Sequence, residues 1–310
     1  MILLGIEIGG TKLQLVAGDE TGQIRERRRL MVDRAAGGVG IRQQIATALP
    51  ELIATHRPVA MGVGFGGPVD FRTGKICCSH QIAGWHDFEL GQWLGEVTRL
   101  PVSVENDANV AALGEALHGA GRGFDPVFWI NMGSGVGGGL VTGSRLYHGA
   151  VPGEAEFGHL RLDRTGTTVE ERCSGWAVDR RIVALVKDWS ASSILADMVR
   201  AQAKPGGEAR HLAPALAAGD ELSHRIVAEI ADDLAFALSH AVQLFHPQAV
   251  VMGGGLSLVG EPLRAAVAAA LPRYVMDSFQ PGPRVFLPGL GEDSVPVGAL
   301  ALAAAEVKQD

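Results

Sequence analysis

The chain has 310 residues, 47% of them hydrophobic and 20% charged, with a formal net charge of −7. That length suits two domains with sizeable cores, while the acidic balance leaves no electrostatic footprint for nucleic acid. Its three cysteines, Cys77, Cys78 and Cys173, include an adjacent pair and imply no disulfide framework, and no run of 18 apolar residues marks a membrane span.

Residues 2–8 are an apolar run that predicts a buried strand. No basic n-region precedes it, and Glu7 interrupts it before a signal-peptide core can form, so a cytoplasmic protein is expected. Gly9-Gly10-Thr11 leads into a second strand near 12–18 and a third over 23–30; two strands so closely spaced round glycine predict a hairpin, not a strand–helix unit. Periodicity predicts a helix over 39–55, then a strand over 59–64 and a glycine-rich turn through Pro68. A short helix over 89–98 and a short strand over 102–104 follow. Asn106-Asp107-Ala108-Asn109 opens a helix through Leu117, with Asn106 or Asp107 as its N-cap.

Glycines 119, 121 and 123 mark a lobe boundary. Beyond it the pattern restarts with a strand over 127–132, a glycine turn over 133–139 and a strand through Val141. A long helix over 221–245, a strand over 249–252, a triple-glycine turn and helices over 260–271 and 297–306 complete the chain. The alternation is that of an α/β protein, and its strand–glycine turn–strand opening recurs in the second half. The expected division is a first lobe over 1–118, a second over 119–295, and a terminal helix over 296–310 returning to the first.

Three glycine turns follow predicted strands: Gly9-Gly10-Thr11-Lys12, Gly133-Ser134-Gly135-Val136-Gly137-Gly138 and Gly253-Gly254-Gly255. Without a Cβ, backbone N–H groups there approach phosphate oxygens closely. Gly133 to Gly138 and Gly62 to Gly67 both fit G-x-G-x-x-G, but neither opens a helix, so a dinucleotide fold is disfavoured. No G-x-x-x-x-G-K-[ST] string exists. Carboxylates and amides gather in Glu105-Asn106-Asp107 and in Gly153-Glu154-Ala155-Glu156-Phe157-Gly158-His159, groups suited to the paired donors and acceptors of sugar hydroxyls.

These strings together resemble the ROK family of repressors and sugar kinases. Gly5-Ile6-Glu7-Ile8-Gly9-Gly10-Thr11-Lys12 is similar to its phosphate hairpin, Glu105 to Asn109 to its catalytic segment, and Gly133 to Gly139 to its second phosphate loop. Glu156-Phe157-Gly158-His159 resembles its sugar motif G-E-x-G-H, Ser174-Gly175 the helix start after its zinc loop, and Gly253-Gly254-Gly255 its adenosine-side loop. The resemblance runs from residue 2 to about 305. It implies a two-lobed, actin-like ATPase (ribonuclease H-like) fold with an interlobe active site, and phosphorylation of a hexose by Mg·ATP. Asp107 would be the general base, and Gly67, Asn106, Glu156, His159 and Glu170 would hold the sugar. Gly9, Gly10, Thr11, Lys12, Gly133, Ser134, Gly135, Gly137, Gly253, Gly254 and Gly255 would face ATP, with Glu7 near Mg²⁺. A homodimer with a small-molecule sugar as its partner is the family's expectation.

The chain departs from that pattern in places. Position 7 is Glu where most members have Asp, Ala155 replaces the glycine of G-E-x-G-H, and Gln81 stands where many carry Asn in the sugar loop. Leu160 to Cys173 offers a single cysteine where members carry a zinc loop, and a structural zinc wants four N or S ligands; no structural zinc is expected. The family's repressors carry an N-terminal helix-turn-helix domain, for which a first strand at residue 2 leaves no room, so a sugar-responsive regulator or non-catalytic sensor is the alternative expectation.

Overall fold

The computed structural model describes residues 1–79, 81–151, 153 and 155–307. They form two compact units: Met1–Gly123, Gly139–Ala155 and the described residues from Gly289 onward make the first, Phe124–Gly138 and Glu156–Pro288 the second. The division is finer than a single break at 119, because the chain crosses back for the short segment 139–155.

The first unit opens with β1 (Ile2–Ile8), β2 (Lys12–Asp19) and β3 (Ile24–Met31), a meander in which the N–H of Gly9 closes the first turn on the Lys12 carbonyl at 3.0 Å. Next come α1 (Gly37–His56), β4 (Met61–Phe65), the short strands β5 (Val69–Asp70), β6 (Lys75–Ile76) and β7 (Phe88–Glu89), then α2 (Leu90–Thr98), β8 (Val102–Asn106) and α3 (Asp107–His118). The main sheet has the order β3-β2-β1-β4-β8, with β1, β4 and β8 parallel and Ile8, Phe65 and Asn106 in one register row. Three strand C-termini therefore end side by side, the edge where open α/β sheets bind ligands.

Alternation along these strands sorts the two faces. Leu4, Ile6, Ile8, Leu13, Leu15, Val63 and Phe65 join the buried side of α1, whose Ile41, Ile45, Leu49 and Leu52 recur at helical spacing. On the opposite face Gly5, Gly62 and Gly64 leave room for the final helix, α10 (Ser294–Val307), to pack close, its Leu300, Ala303 and Ala304 meeting Leu3 and Val16.

The second unit carries β9 (Val127–Met132) and the start of β10 (Val136–Thr142), whose remainder pairs in the first unit with β11 (Arg145–Leu146). It continues through α4 (Val169–Cys173), α5 (Gly175–Asp188), α6 (Ile194–Arg200), α7 (Leu212–Ala217), α8 (Glu221–Phe245), β12 (Ala249–Gly253), α9 (Glu261–Ala270) and β13 (Arg284–Phe286). Asp220 caps α8 by accepting from the Ser223 N–H at 2.8 Å. β9, β12 and β13 are parallel neighbours, and the strand order β11-β10-β9-β12-β13 repeats that of the first sheet: third, second, first, fourth, fifth. The recurring strand–turn–strand opening in the sequence is thus one part of a repeated five-strand plan.

From Gly289 the chain rejoins the first unit and ends in α10 (Ser294–Val307). This helix is apolar almost all round, as burial on several sides requires. It meets α3 backbone to backbone: a Cβ on Gly298 would fall on the Val110 carbonyl, and one on Gly114 on the Ser294 carbonyl. At the junction Glu115, fully buried, accepts four hydrogen bonds: Ala120 N–H, Gly289 N–H and Leu290 N–H at 2.9 Å each, and the Ser294 hydroxyl at 2.8 Å. Its carboxylate fastens both the segment leaving the first unit before Phe124 and the segment returning at Gly289.

Candidate active site

In the first unit, the ends of β1, β4 and β8 gather the sequence's first group of candidates. Asn106 caps α3: its side-chain oxygen accepts from the N–H groups of Ala108 and Asn109 at 2.9 and 3.3 Å. Asp107 is therefore the first helical residue, not the cap. Its charge is favoured by the helix N-terminus, and one carboxylate oxygen lies 3.4 Å from where a Cβ on Gly66 would be. The other side of the Asn106 amide donates to the Gly67 carbonyl at 3.0 Å, and Gly67 itself is held so close to the Cys78 carbonyl that a side chain would not fit. Gly66, Gly67, Asn106 and Asp107 are thus brought together.

Glu7 lies one residue inside the same edge, 9% exposed. Gln14 donates to its Oε2 at 2.7 Å, and the Lys12 ammonium sits 3.4 Å from Oε1. Burial pushes the Glu7 carboxyl above the usual glutamate range, against the pull of Lys12 and the Gln14 hydrogen bond. A folded value above the unfolded one means that the group's contribution to stability is full at low pH and is lost as pH rises through the folded value. Glu7→Gln is therefore expected to melt higher than wild type at about pH 7.5 in ligand-free protein, the gap closing toward about pH 4. Thermal melts at both pH values check this; a variant that melts lower at pH 7.5 would show that the Lys12 pairing outweighs burial.

Gly10 at the hairpin tip has two neighbours of different rank in the sequence. The Gln81 side chain occupies the space where a Cβ would stand, and Arg34, which sequence reasoning passed over, donates to the Gly10 carbonyl at 2.9 Å. Thr11 is exposed beside them.

In the second unit, the turn after β9 is the meeting point. Its Gly133 carbonyl accepts the Gly175 N–H at 2.7 Å, bringing the start of α5 against it, with Ser174 capping that helix through the Ala177 N–H. Glu170, expected to hold sugar, accepts the Val136 N–H at 2.9 Å, and a Cβ on Gly135 would be 2.5 Å from its carboxylate. A side chain at 135 would have to displace the Glu170 carboxylate from the Val136 N–H, whatever ligand the turn meets. Gly158 is required more strictly, because a Cβ there would fall on the Val136 backbone carbonyl, while Phe157 packs its ring 5.5 Å from that of Phe128 on β9. These buried contacts leave Glu156 and His159 exposed on either side of Phe157-Gly158. His159 is thus no packed core histidine. Glu154 lies outside the described residues.

Ala155, in place of glycine, has φ 55°. That left-handed conformation costs a residue with a side chain about 1–2 kcal/mol, which explains why glycine suits this position. The triple glycine divides by role: Gly253 lies under the Trp129 ring, Gly254 (φ +83°) lies 2.5 Å, by its would-be Cβ, from the Met132 backbone, and Gly255 faces open space. Packing alone accounts for the first two. Between His159 and α4, Asp163 organises a turn by accepting from Thr165, Gly166 and Thr167, and a Thr168–Glu171 capping box starts the helix. Cys173 is fully buried, its thiol pushed upward by burial. Among the described residues no three His, Cys, Asp or Glu side chains stand together as a metal-binding group.

The sequence profile of the ROK family matches residues 3–306. At 30% identity the chain is similar to the glucokinase of Halalkalibacterium halodurans, over 95% of this chain and 92% of that protein. It is similar at 30% identity to the glucokinase of Thermotoga maritima, over 97% and 96%. Among solved structures it is similar to a ROK family glucokinase from Streptomyces griseus in complex with glucose and AMPPNP, with TM-score 0.83, 29% identity and coverage of 98% of this chain and 100% of that one. It also resembles the ROK hexokinase from Thermus thermophilus, with TM-score 0.82, 30% identity and coverage of 100% of both chains.

Proposed function

The chain belongs to the ROK family, has the actin-like ATPase fold and is an ATP-dependent sugar kinase, and we propose that it phosphorylates a hexose hydroxyl with Asp107 as general base. The observation that carries this reading is the division of labour at the start of α3: Asn106 caps the helix, so the adjacent Asp107 carboxylate is not consumed by that task. A carboxylate there accepts the proton of the attacking hydroxyl. Gly67 and Asn106, already bonded to each other, would border the same hydroxyl, and Glu156, His159 and Glu170 would hold the others.

Phosphoryl transfer needs positioning and neutralisation of charge more than covalent chemistry. Gly9, Gly10, Thr11 and Lys12 would meet the phosphates, as would Gly133, Ser134, Gly135 and Gly137, with Gly253 to Gly255 nearer the adenosine. Mg²⁺ fits the donors present: Glu7 is a buried carboxylate whose ionised form burial disfavours, and Mg²⁺ sites of this class use one or two carboxylates beside substrate phosphates and water. When bound, the ion neutralises phosphate charge. Three thiol cysteines and the absence of a helix long and apolar enough to cross a membrane, among the described residues, accord with a cytoplasmic setting; a homodimer is proposed on family grounds.

Glucose is the first acceptor to test, since it is the sugar in the names of the relatives above. ATP consumption measured across glucose, fructose, mannose and N-acetylated amino sugars should reveal one hexose with clearly the highest kcat/KM. Sugars that differ at one hydroxyl separate widely when the site bonds that hydroxyl. No sugar-dependent ATP consumption with any of them would overturn the reading.

A further inference from the structure

Glu105 and His148 form a pair that the reaction described above does not use. Glu105 ends β8, immediately before Asn106-Asp107, and is 3% exposed. Its Oε1 accepts the Asn106 N–H at 2.8 Å and the Asn109 side-chain amide at 3.2 Å. Its Oε2 is 2.6 Å from His148 Nε2, which donates to it. A buried carboxylate is costly unless hydrogen-bonded and paired, and His148 is the member of this set able to carry positive charge.

His148 is fixed from a second direction. Its ring stacks on Phe71 with centroids 3.8 Å apart and planes 12° from parallel. Phe71 follows directly on β5, a few residues beyond Gly67, and His148 follows β11 in the segment that runs on to Glu156 and His159. Three stretches of the first unit therefore converge on one imidazole: the loop after Gly67, the turn carrying Asp107, and the approach to the sugar motif.

We propose that His148 is a positioning residue for the kinase reaction, holding the Asn106-Asp107 turn in its productive geometry through the Glu105 carboxylate. Without the imidazole, Glu105 is left as a buried charge short of a partner and turns or takes up a proton. Either change releases its grip on the Asn106 N–H, and with it the bond from Asn106 to Gly67 and the aim of Asp107. Displacements of about 1 Å in a reacting group lower rates on the order of 100-fold. The inference rests on the reading of Asp107 as the base, and the test separates the two.

His148→Ala should lower kcat about 10- to 100-fold with KM for ATP within about twofold, since the ATP-facing turns are untouched. Added imidazole should restore part of kcat by refilling the space beneath Phe71, and His148→Gln, which keeps an N–H donor, should retain more activity than alanine. A simple packing role would predict recovery that follows the volume refilled and not the presence of an N–H donor. In a double-mutant cycle, His148→Ala combined with Glu105→Gln should lose far less than the sum of the single losses, because the stranded charge is gone. Should His148→Ala not fold, that double variant carries the same imidazole test. A kcat within twofold of wild type, or a loss that neither imidazole nor glutamine relieves, overturns the proposal. Asp107→Asn is measured alongside: an active Asp107→Asn enzyme sinks the general-base reading, whereas a dead one beside an unaffected His148→Ala sinks only the role of His148.

Discussion

Asp107→Asn is expected to slow phosphoryl transfer by about 10²–10⁴-fold while hexose affinity stays within about tenfold. The substitution keeps size and shape at the first position of α3 and removes the capacity to take a proton. It leaves the helix cap intact, because Asn106 supplies it. The helix should therefore persist and the loss should fall on chemistry alone. Single-turnover rates and sugar titrations on both proteins separate the two effects. Turnover near wild type would remove Asp107 from the mechanism, and a parallel fall in melting temperature and sugar affinity would show instead that its role is structural.

Glu115→Ala should destabilise the protein on the order of 3–5 kcal/mol, the range seen when a buried charged partner is removed from its donors. Three backbone N–H groups and the Ser294 hydroxyl lose their acceptor at once. No water-filled surface lies beside the carboxylate to replace it, since Glu115 is 0% exposed. Denaturant unfolding of the two proteins measures the difference. A loss below about 1 kcal/mol, the worth of one ordinary hydrogen bond, would mean that the junction relaxes onto other acceptors.

Much of the frame was legible before the structure. The first three strands, the long helix ending at Phe245 and the glycine turns announced themselves because each combines strong periodicity with sharp punctuation. The strands β5, β6 and β7 did not, being two residues each and too short for any alternation to register. The helices α4, α6 and α7 were passed over for a related reason, since each spans seven residues or fewer, whereas α5, of 14 residues, was marked only at its start by Ser174-Gly175.

At the site, local strings such as Glu156 to His159 could be read, but partnerships distant in sequence could not. Glu105 and His148 are 43 residues apart, and Glu170 reaches Val136 across 34. Nor does sequence distinguish a glycine that admits a phosphate from one that admits a neighbouring ring. Gly253, beneath Trp129, belongs at least to the second kind. The choice between Asn106 and Asp107 as cap was also open, since both residue types serve equally well; only the direction of the Asn106 side chain decides it.

The bare-backbone meeting of α3 and α10 has a bearing on evolution and engineering. Where most helix pairs are separated by side chains that can be exchanged for others of similar volume, this pair is separated by hydrogen atoms on Gly114 and Gly298. Volume, not polarity, sets what these two positions accept. Even alanine, the mildest replacement in most helices, would have to push one helix away from the other. A variant library should find them among the least permissive positions of the chain, although neither carries a functional group.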